Sequence, residues 1–431
     1  MTELHQDLPD APVWARADAF PKAPAGWGWA DIKCDEHPCD SYGTLTAAIR
    51  DDPDGRIALV WTPYHTRMLL PEQLTGMGEA LRAARTRWSQ EDLASANHRL
   101  RWFGTVLITL VGYSFYQGLS WASEMAAKSG VVMNFSERVE IGMQSALSSF
   151  QSGIALLLFV IFAFIPWYQA RKRRLEIVNW TDASAAEAVP VIRFETWLAQ
   201  QKAPLTKVFL VMMALVALVQ IVVQLKSAES FSIMKLLTQW GGTSSAGLLK
   251  ENYQAGEFWR LFTAPFLHGN FLHFFMNASA LAYLGKRMEV FARWPHLPLV
   301  FLFAACIGGE ASARFIGAPS VGASGGLMGW LGFLLVFEIL HRRLVPRRAT
   351  RRLAAGVFLT ALIGLIGYKY IDNAAHAGGL IAGMLYAAIV FPASSSPIRP
   401  RSNFTDRMAG ILALSLLAAA AMLAIWKMLV N

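Results

Sequence analysis

The sequence predicts an all-α polytopic membrane protein that also carries a small soluble α/β domain in its amino-terminal region. Two observations support this fold class. Hydrophobic residues make up 54% of the 431 residues and charged residues only 16%, whereas about 25% of a typical soluble domain is charged. The apolar residues also occur in long runs that short basic segments separate. The predicted architecture is a six-helix bundle with two extra spans before it and one after it.

Nine apolar stretches are long enough to cross a bilayer as helices, since about 20 apolar residues span the hydrocarbon core. They lie near residues 102–125, 148–170, 207–226, 267–285, 297–316, 321–340, 353–371, 375–392 and 409–429. Several of them contain glycine or a polar residue, so their bounds are approximate.

Lysine and arginine concentrate in four alternate loops, at 171–174, 286–293, 341–352 and 399–407. Because basic loops stay on the cytoplasmic side of a membrane, we expect the amino terminus in the cytoplasm and the carboxyl terminus outside. The same distribution accounts for the net charge of +9. A nucleic-acid partner is therefore not expected.

Four regions follow from these spans. They are a soluble cytoplasmic domain (1–100), a transmembrane hairpin with a cytoplasmic linker (101–205), the six-helix bundle (206–392), and a cytoplasmic loop with a last transmembrane helix (393–431). In the first region, the pattern of residues 55–61 is typical of a strand and that of residues 71–88 of an amphipathic helix. The long outer loop 227–266 is apolar enough to lie in the membrane interface.

Polar side chains inside a membrane are costly and indicate function. In the bundle they occur in three segments at its predicted outer end. HGNFLHFFMN contributes His268, His273 and Asn277; GASG contributes Ser324; DNAAHAGGLIAG contributes Asp372 and His376. Ser324 and His376 each begin an inward-running helix, so the sequence predicts that they lie at similar depth.

A serine hydroxyl needs a base to take its proton, and histidine is the usual base. Gly379 and Gly383 lie three and seven residues after His376, on the same helix face. Around Ser324, Gly322 and Gly325 are equally small. Because small faces let membrane helices approach closely, we expect the two helices to meet with Ser324 and His376 in contact.

Acyl transfer also needs donors for the oxyanion. Asn277 and His273 are four residues apart, so they share one helix face. The backbone N–H groups of Ser324 and Gly325, at a helix start, are further candidate donors.

With these motifs in place, residues 206–392 resemble the rhomboid family of intramembrane serine proteases. The segment GEFWRLFTAPFLHG (256–269), with Trp259 and Arg260, is similar to the family's first-loop motif. The resemblance implies that Ser324 is the nucleophile and His376 the general base of a dyad. It implies an oxyanion hole of Asn277, His273 and the Ser324 backbone.

The same resemblance implies that His268 is a structural histidine beneath the first loop, and that the substrates are transmembrane proteins cut near their outer end. No metal or cofactor is implied, and the lipid bilayer is the expected surrounding. Localisation to the bacterial inner membrane, with the site toward the periplasm, is expected. Two departures are Met328, where the family often has an aromatic residue, and Arg293, where a glycine is common.

Several alternatives stay open. Asp372 either orients His376 as a third member or caps its helix, and the cap is favoured. Glu310 approaches the site or bonds within the bundle. Cys34, His37 and Cys39 are candidate zinc ligands but do not by themselves complete a tetrahedral set, for which His65 is the candidate fourth ligand. Reduced, unpaired thiols are the favoured alternative.

Two other functions compete with proteolysis. A catalytically silent rhomboid-like protein would bind membrane clients without cutting them, although such proteins typically lack the serine or the histidine. A transporter would need ionisable groups near mid-membrane, whereas here they concentrate at one end of the bundle.

Overall fold

The computed structural model describes residues 11–52, 55–227, 239–368 and 371–430. The described residues are mainly helical and divide into two compact units. The large unit comprises residues 11–19, 190–360 and 371–430, and the small unit comprises residues 20–189 and 361–368. Residues 228–238 of the predicted outer loop lie outside the described residues.

The small unit contains a three-stranded antiparallel sheet in the order β2-β1-β3. Its strands are β1 (Trp27–Ala30), β2 (Glu36–Cys39) and β3 (Leu59–Trp61). Helix α1 (Tyr42–Asp51) starts with a capping box, in which Ser41 and Thr44 bond each other's backbone N–H groups,. The predicted strand over 55–61 is confirmed in its second half by β3, and the sheet is consistent with a soluble α/β region.

The predicted helix over 71–88 and the predicted first span form one continuous helix, α2 (Gly78–Ser129). A short 3₁₀ turn, Pro71–Gln73, replaces the first turns of the predicted helix. The predicted boundary at residue 100 therefore falls inside a helix. The division into four regions stays a prediction.

The chain returns along α2 in three helices that a break and a π turn separate. These are α3 (Phe135–Ser148), α4 (Phe150–Phe159) and α5 (Ile165–Val178). Ser149 is extended and caps α4 by accepting the Ser152 N–H. The π turn, Val160–Phe164, ends two residues before Pro166, which has no N–H to donate to the helix ladder,.

The large unit contains most of the predicted bundle. Its long helices include α7 (Pro204–Ser227), α8 (Phe271–Phe291), α9 (His296–Phe315), α10 (Ser324–Leu340), α12 (Asn373–Val390) and α13 (Phe404–Val430). Two further helices, α6 (Asp182–Gln200) and α11 (Arg347–Ile366), have residues in both units. Short helical turns at Thr243–Ala246, Lys250–Gln254 and Arg260–Thr263 lie between α7 and α8.

Six described helices are long and apolar enough to cross a membrane, namely 151–178, 204–226, 296–315, 349–366, 373–390 and 404–430. Three more of the predicted spans are helical, yet they fall short of this criterion. Helix α10 has only 17 residues, and α8 carries Lys286, Arg287 and Glu289. The third lies within α2, where Ser, Tyr and Gln interrupt the apolar run. The chain is thus an integral, multi-pass membrane protein.

Helix α10 lies at the centre of the large unit, packed against α9 and α12. It is apolar on every side and buried along most of its length, as expected for a core helix,. A buried ion pair anchors its far end, where Arg287 of α8 donates to Glu338 over 2.8 Å. The first residue of α10 is Ser324, so the core of the unit fixes the position of that serine.

Glu289, near the end of α8, and Arg293, just after that helix, occupy the segment that contains one departure from the family pattern. Glu289 accepts the backbone N–H groups of Leu205 and Thr206, which caps the start of α7. Arg293 has a φ of 69°, in the left-handed region. Glycine adopts that conformation without a steric cost, which accounts for the family's glycine at this position.

Candidate functional site

Ser324 follows a turn that only glycine can make without strain. Gly322 has a φ of 120°, and its N–H donates to Ala264 O over 2.9 Å. A Cβ atom at Gly322 would lie 2.6 Å from Cε1 of His273. The turn thus brings the chain next to His273 and then starts α10 at Ser324.

His376 lies in the first turn of α12. Asp372 is the N-cap of this helix, and its Oδ1 accepts the Ala375 N–H over 2.9 Å. The structure therefore supports the cap that the sequence favours for Asp372.

The helices that carry Ser324 and His376 pack backbone against backbone. A methyl group on Gly379 would overlap the carbonyl of Gly325, and one on Gly383 would overlap the carbonyl of Gly329. We call this contact the glycine seam. It joins the residue after Ser324 to the residue three positions after His376, and so brings the starts of both helices together.

His273 and Asn277 reach the same place from α8. The Cβ position of Gly322 would be 2.6 Å from His273 and 3.4 Å from Nδ2 of Asn277. Both side chains therefore lie beside the glycine that stands two residues before Ser324. The three polar motifs of the sequence converge at one end of the unit.

Two polar atoms of this cluster have no hydrogen-bond partner among the described residues. They are Nδ2 of Asn277 and Nδ1 of His376, both buried. An unsatisfied buried polar group costs about 1–3 kcal/mol, so such groups call for a specific explanation. A buried amide donor, an imidazole and a hydroxyl at a helix start are the groups that acyl transfer requires.

His268 is fully buried just before α8. Its backbone N–H donates to Oε1 of Gln220 and its carbonyl accepts from Nε2 of Gln220, both over 2.9 Å. Its ring lies edge-on to that of His273, with ring centroids 5.2 Å apart. The packing is that of a supporting residue beneath His273.

Trp259 and Arg260 organise the loop between α7 and α8. The buried Arg260 guanidinium donates to the carbonyl of Gly247 over 2.7 Å and pairs with Glu257. It also covers the Trp259 ring at 4.6 Å, while Lys427 of α13 lies 4.9 Å from the same ring. Neither residue is in the polar cluster. Both stabilise the loop that contains Ala264, whose carbonyl accepts the Gly322 N–H.

Sequence reasoning missed two residues of this region. Gln220, in the middle of α7, fixes His268, and Asn270 caps α8 by accepting the His273 N–H over 2.9 Å. Asn270 had a local signal, since Asn is a preferred cap three residues before its partner. Gln220 had only its polarity within an apolar span.

Glu310 is engaged away from the cluster. Its carboxylate accepts hydrogen bonds from Tyr253 and Arg314. Of the two open readings for this residue, the structure thus favours bonding within the bundle and at its surface.

The cysteine-containing segment of the small unit does not gather ligands. Among the described residues there is no group of three His, Cys, Asp or Glu side chains that could hold a metal ion. His37 instead stacks on Trp29, with ring centroids 3.9 Å apart. Partial burial raises the pKa of both the Cys34 and the Cys39 thiol.

Comparison with known proteins agrees with the sequence motifs. Residues 255–393 match the model of the rhomboid domain. The chain is 35% identical over 133 residues to the Bacillus subtilis protein Rhomboid protease GluP, covering 31% of this chain and 26% of that protein. It is 34% identical over 161 residues to the Arabidopsis thaliana protein RHOMBOID-like protein 6, mitochondrial, covering 36% of this chain and 50% of that protein.

A third relative is named as inactive. Inactive rhomboid protein 1 of Papio anubis is 31% identical over 142 residues, covering 32% of this chain and 16% of that protein. The matches to these three relatives span at most about half of the relative's length. All of them carry the rhomboid name, and the domain match ends within one residue of the predicted bundle. Residues 255–393 of this chain thus form a rhomboid domain.

Proposed function

We propose that the protein is an intramembrane serine endopeptidase that cleaves transmembrane segments of membrane-protein substrates near their outer end. The observation that carries this proposal is the convergence on the Gly322 turn. Ser324, the His376 helix and the side chains of His273 and Asn277 come from three separate helices and meet there. A fold without acyl-transfer chemistry has no need to gather these four residues.

In the proposed reaction, Oγ of Ser324 attacks the carbonyl carbon of the scissile peptide bond while the His376 imidazole takes its proton. The amide of Asn277, His273 and the Ser324 N–H stabilise the oxyanion. The intermediate collapses as the imidazole protonates the leaving amine, which breaks the peptide bond and leaves an acyl ester on Ser324. Water, activated by the same imidazole, then hydrolyses the ester.

The unpartnered atoms of the site support this assignment. An oxyanion donor must be free before the reaction, and Nδ2 of Asn277 is a buried donor without a described partner. Removal of one oxyanion donor typically lowers kcat by about 10²–10³.

The orientation belongs to the same proposal. Basic loops at alternate helix ends favour a cytoplasmic amino terminus, and Ser324 then lies toward the outer face. In a bacterium this face is the periplasmic side of the inner membrane. The mitochondrial name of one plant relative leaves a mitochondrial membrane as the alternative.

A catalytically silent, client-binding protein is the second candidate, because Inactive rhomboid protein 1 is among the relatives. The two candidates differ in the reactivity of Ser324. A fluorophosphonate probe should label the full-length wild type at Ser324, and Ser324→Ala or His376→Ala should abolish the labelling. Ser279→Ala and His98→Ala are matched controls, since both side chains are exposed and lie outside the cluster. Labelling that persists in Ser324→Ala, or a wild type that is never labelled, would overturn the proposal.

A further inference from the structure

The Asp372 carboxylate does more than a helix cap requires. Its Oδ1 accepts the Ala375 N–H, which completes the cap. Its Oδ2 accepts two further hydrogen bonds, from the hydroxyl of Ser312 and, over 2.6 Å, from the hydroxyl of Ser320. A cap needs only one acceptor oxygen, so the second oxygen serves another purpose.

A buried cation stands behind this carboxylate. The Lys250 ammonium donates to Oγ of Ser312 over 2.6 Å, and Lys250 is only 8% exposed while Ser312 is fully buried. Burial lowers the pKa of Lys250, and the negative charge of Asp372 opposes that shift. Ser312 thus accepts from Lys250 and donates to Asp372, which uses both functions of a hydroxyl.

Two members of this network stand at the same sequence distance before the two proposed reactive residues. Ser320 stands four residues before Ser324, and Asp372 stands four residues before His376. Ser320 is held on its other side as well, because its backbone N–H and carbonyl pair with those of Leu248 over 3.0 Å each. One carboxylate therefore ties the loop before Ser324 to the start of the His376 helix.

We propose that Asp372 is a positioning residue, which with Ser320, Ser312 and Lys250 holds the Ser324 loop in register with the His376 helix. This inference rests on the proposed function and deepens it. Asp372 touches neither the substrate nor the reacting atoms in this role. It fixes the separation between hydroxyl and imidazole, on which proton transfer depends because the two must come within about 3 Å.

If Asp372 is only a helix cap, its variants should behave differently from those of a positioning residue. Asn and Ser cap helices about as well as Asp does, so a cap alone predicts that Asp372→Asn and Asp372→Ser behave like the wild type. A positioning role predicts loss in both, because neither side chain offers a second charged oxygen for two hydroxyls. Asp372→Asn also leaves the buried Lys250 ammonium without its counter-charge, which is destabilising.

The experiment measures two quantities on the full-length protein in detergent micelles. These are the rate constant for fluorophosphonate labelling of Ser324 and the melting temperature. Asp372→Asn should slow labelling at least tenfold and lower the melting temperature. In Lys250→Met/Asp372→Asn, the unpaired charge is gone, so the melting temperature should recover while labelling stays at least tenfold slow. Ser320→Ala, which changes no charge, should slow labelling about threefold or more at an unchanged melting temperature.

Glu310→Gln is the matched control, since it neutralises an acid of the same unit that bonds Tyr253 and Arg314 and no member of the network. Its labelling rate should equal that of the wild type. Labelling of the double variant and of Ser320→Ala within twofold of the wild type would overturn the positioning role alone. A wild type that the probe does not label would overturn the proposed function, and the positioning role with it.

Discussion

In each of the two units, small residues allow a pair of helices to pack closely, but the polar groups beside the two contacts differ. In the small unit, α2 and α3 cross so closely at Gly118 that a methyl group there would lie 2.6 Å from Cβ of Ser145 and 2.9 Å from Cα of Gly142. In the large unit, the glycine seam brings α10 and α12 closer still, because a methyl group on Gly379 would lie 2.0 Å from the Gly325 carbonyl oxygen. In both units, small residues allow close contact and polar side chains lie beside it.

The polar groups beside the two contacts differ in their hydrogen bonds. Next to Gly118, the hydroxyl of Ser149 donates to that of Ser114 over 2.8 Å, and the hydroxyl of Ser145 donates to the Ser114 carbonyl over 2.8 Å. Beside the glycine seam, Nδ2 of Asn277 and Nδ1 of His376 have no partner among the described residues. Satisfied polar groups stabilise a helix pair, whereas unsatisfied ones are costly and point to chemistry.

The largest effect is expected at the seam itself. Gly379→Ala places a methyl group onto the Gly325 carbonyl, so the helices must separate. We expect a loss of about 3 kcal/mol or more in the free energy of unfolding and a near-complete loss of Ser324 labelling. Gly356→Ala is the control, because its methyl group would make only ordinary contact, at 3.9 Å from Leu331. Wild-type stability and labelling in Gly379→Ala would show that the seam is not tight.

The next effect separates catalysis from stability. Asn277→Ala should lower the rate of substrate cleavage by about 10²–10³, while its melting temperature stays near that of the wild type. The reason is that the deleted amide nitrogen has no hydrogen-bond partner among the described residues, so the substitution breaks no hydrogen bond of this atom. A purely structural Asn277 would give the reverse result, with a lower melting temperature and cleavage in proportion to the folded fraction.

The serine cluster of the small unit should respond in the opposite way. Ser114→Ala removes the hydroxyl that accepts from both Ser149 and Ser152, so we expect a loss of about 1–2 kcal/mol in stability and an unchanged cleavage rate per folded molecule. Ser120→Ala, an exposed serine on the same helix, should alter neither quantity. A change in cleavage rate for Ser114→Ala at full folding would mean that the small unit takes part in catalysis.

The smallest effect on stability is expected at Arg293, whose left-handed backbone conformation favours glycine,. Close helix contact is not involved at this position. Arg293→Gly should be more stable than Arg293→Ala by about 1 kcal/mol, since a left-handed residue with a Cβ atom costs about 1–2 kcal/mol. Both variants lose the bond from Arg293 to the Pro400 carbonyl, so their difference isolates the conformation. Equal melting temperatures of the two variants would contradict this account of Arg293.

Much of the site could be predicted from sequence, because its signals are local. The spacing of Gly379 and Gly383 after His376 predicts a small helix face, and the spacing of His273 and Asn277 predicts a shared one. The cap at Asp372 also follows from its position before an apolar helix. These patterns need no knowledge of the partner helix.

The remainder depends on contacts between distant segments. Lys250 and Ser312 are 62 residues apart and Ser320 and Asp372 are 52 apart, and none of the four has a spacing that indicates its partner. The nine predicted apolar stretches are mainly helical where the structure describes them, but three of them fall short of the length or hydropathy of a lipid-facing span. Helix α10, for example, is held by burial among its neighbours and needs neither that length nor an exposed apolar face.

Cleavage of membrane substrates is the decisive property of the proposed Ser324–His376 dyad. Full-length protein is reconstituted in liposomes with a panel of single-span substrates, and the products are mapped by mass spectrometry. We expect the wild type to cut at least one substrate within or next to the outer end of its span, and Ser324→Ala and His376→Ala to cut none. Cleavage by Ser324→Ala, or the same yield of product from His376→Ala as from the wild type, would contradict the proposed dyad.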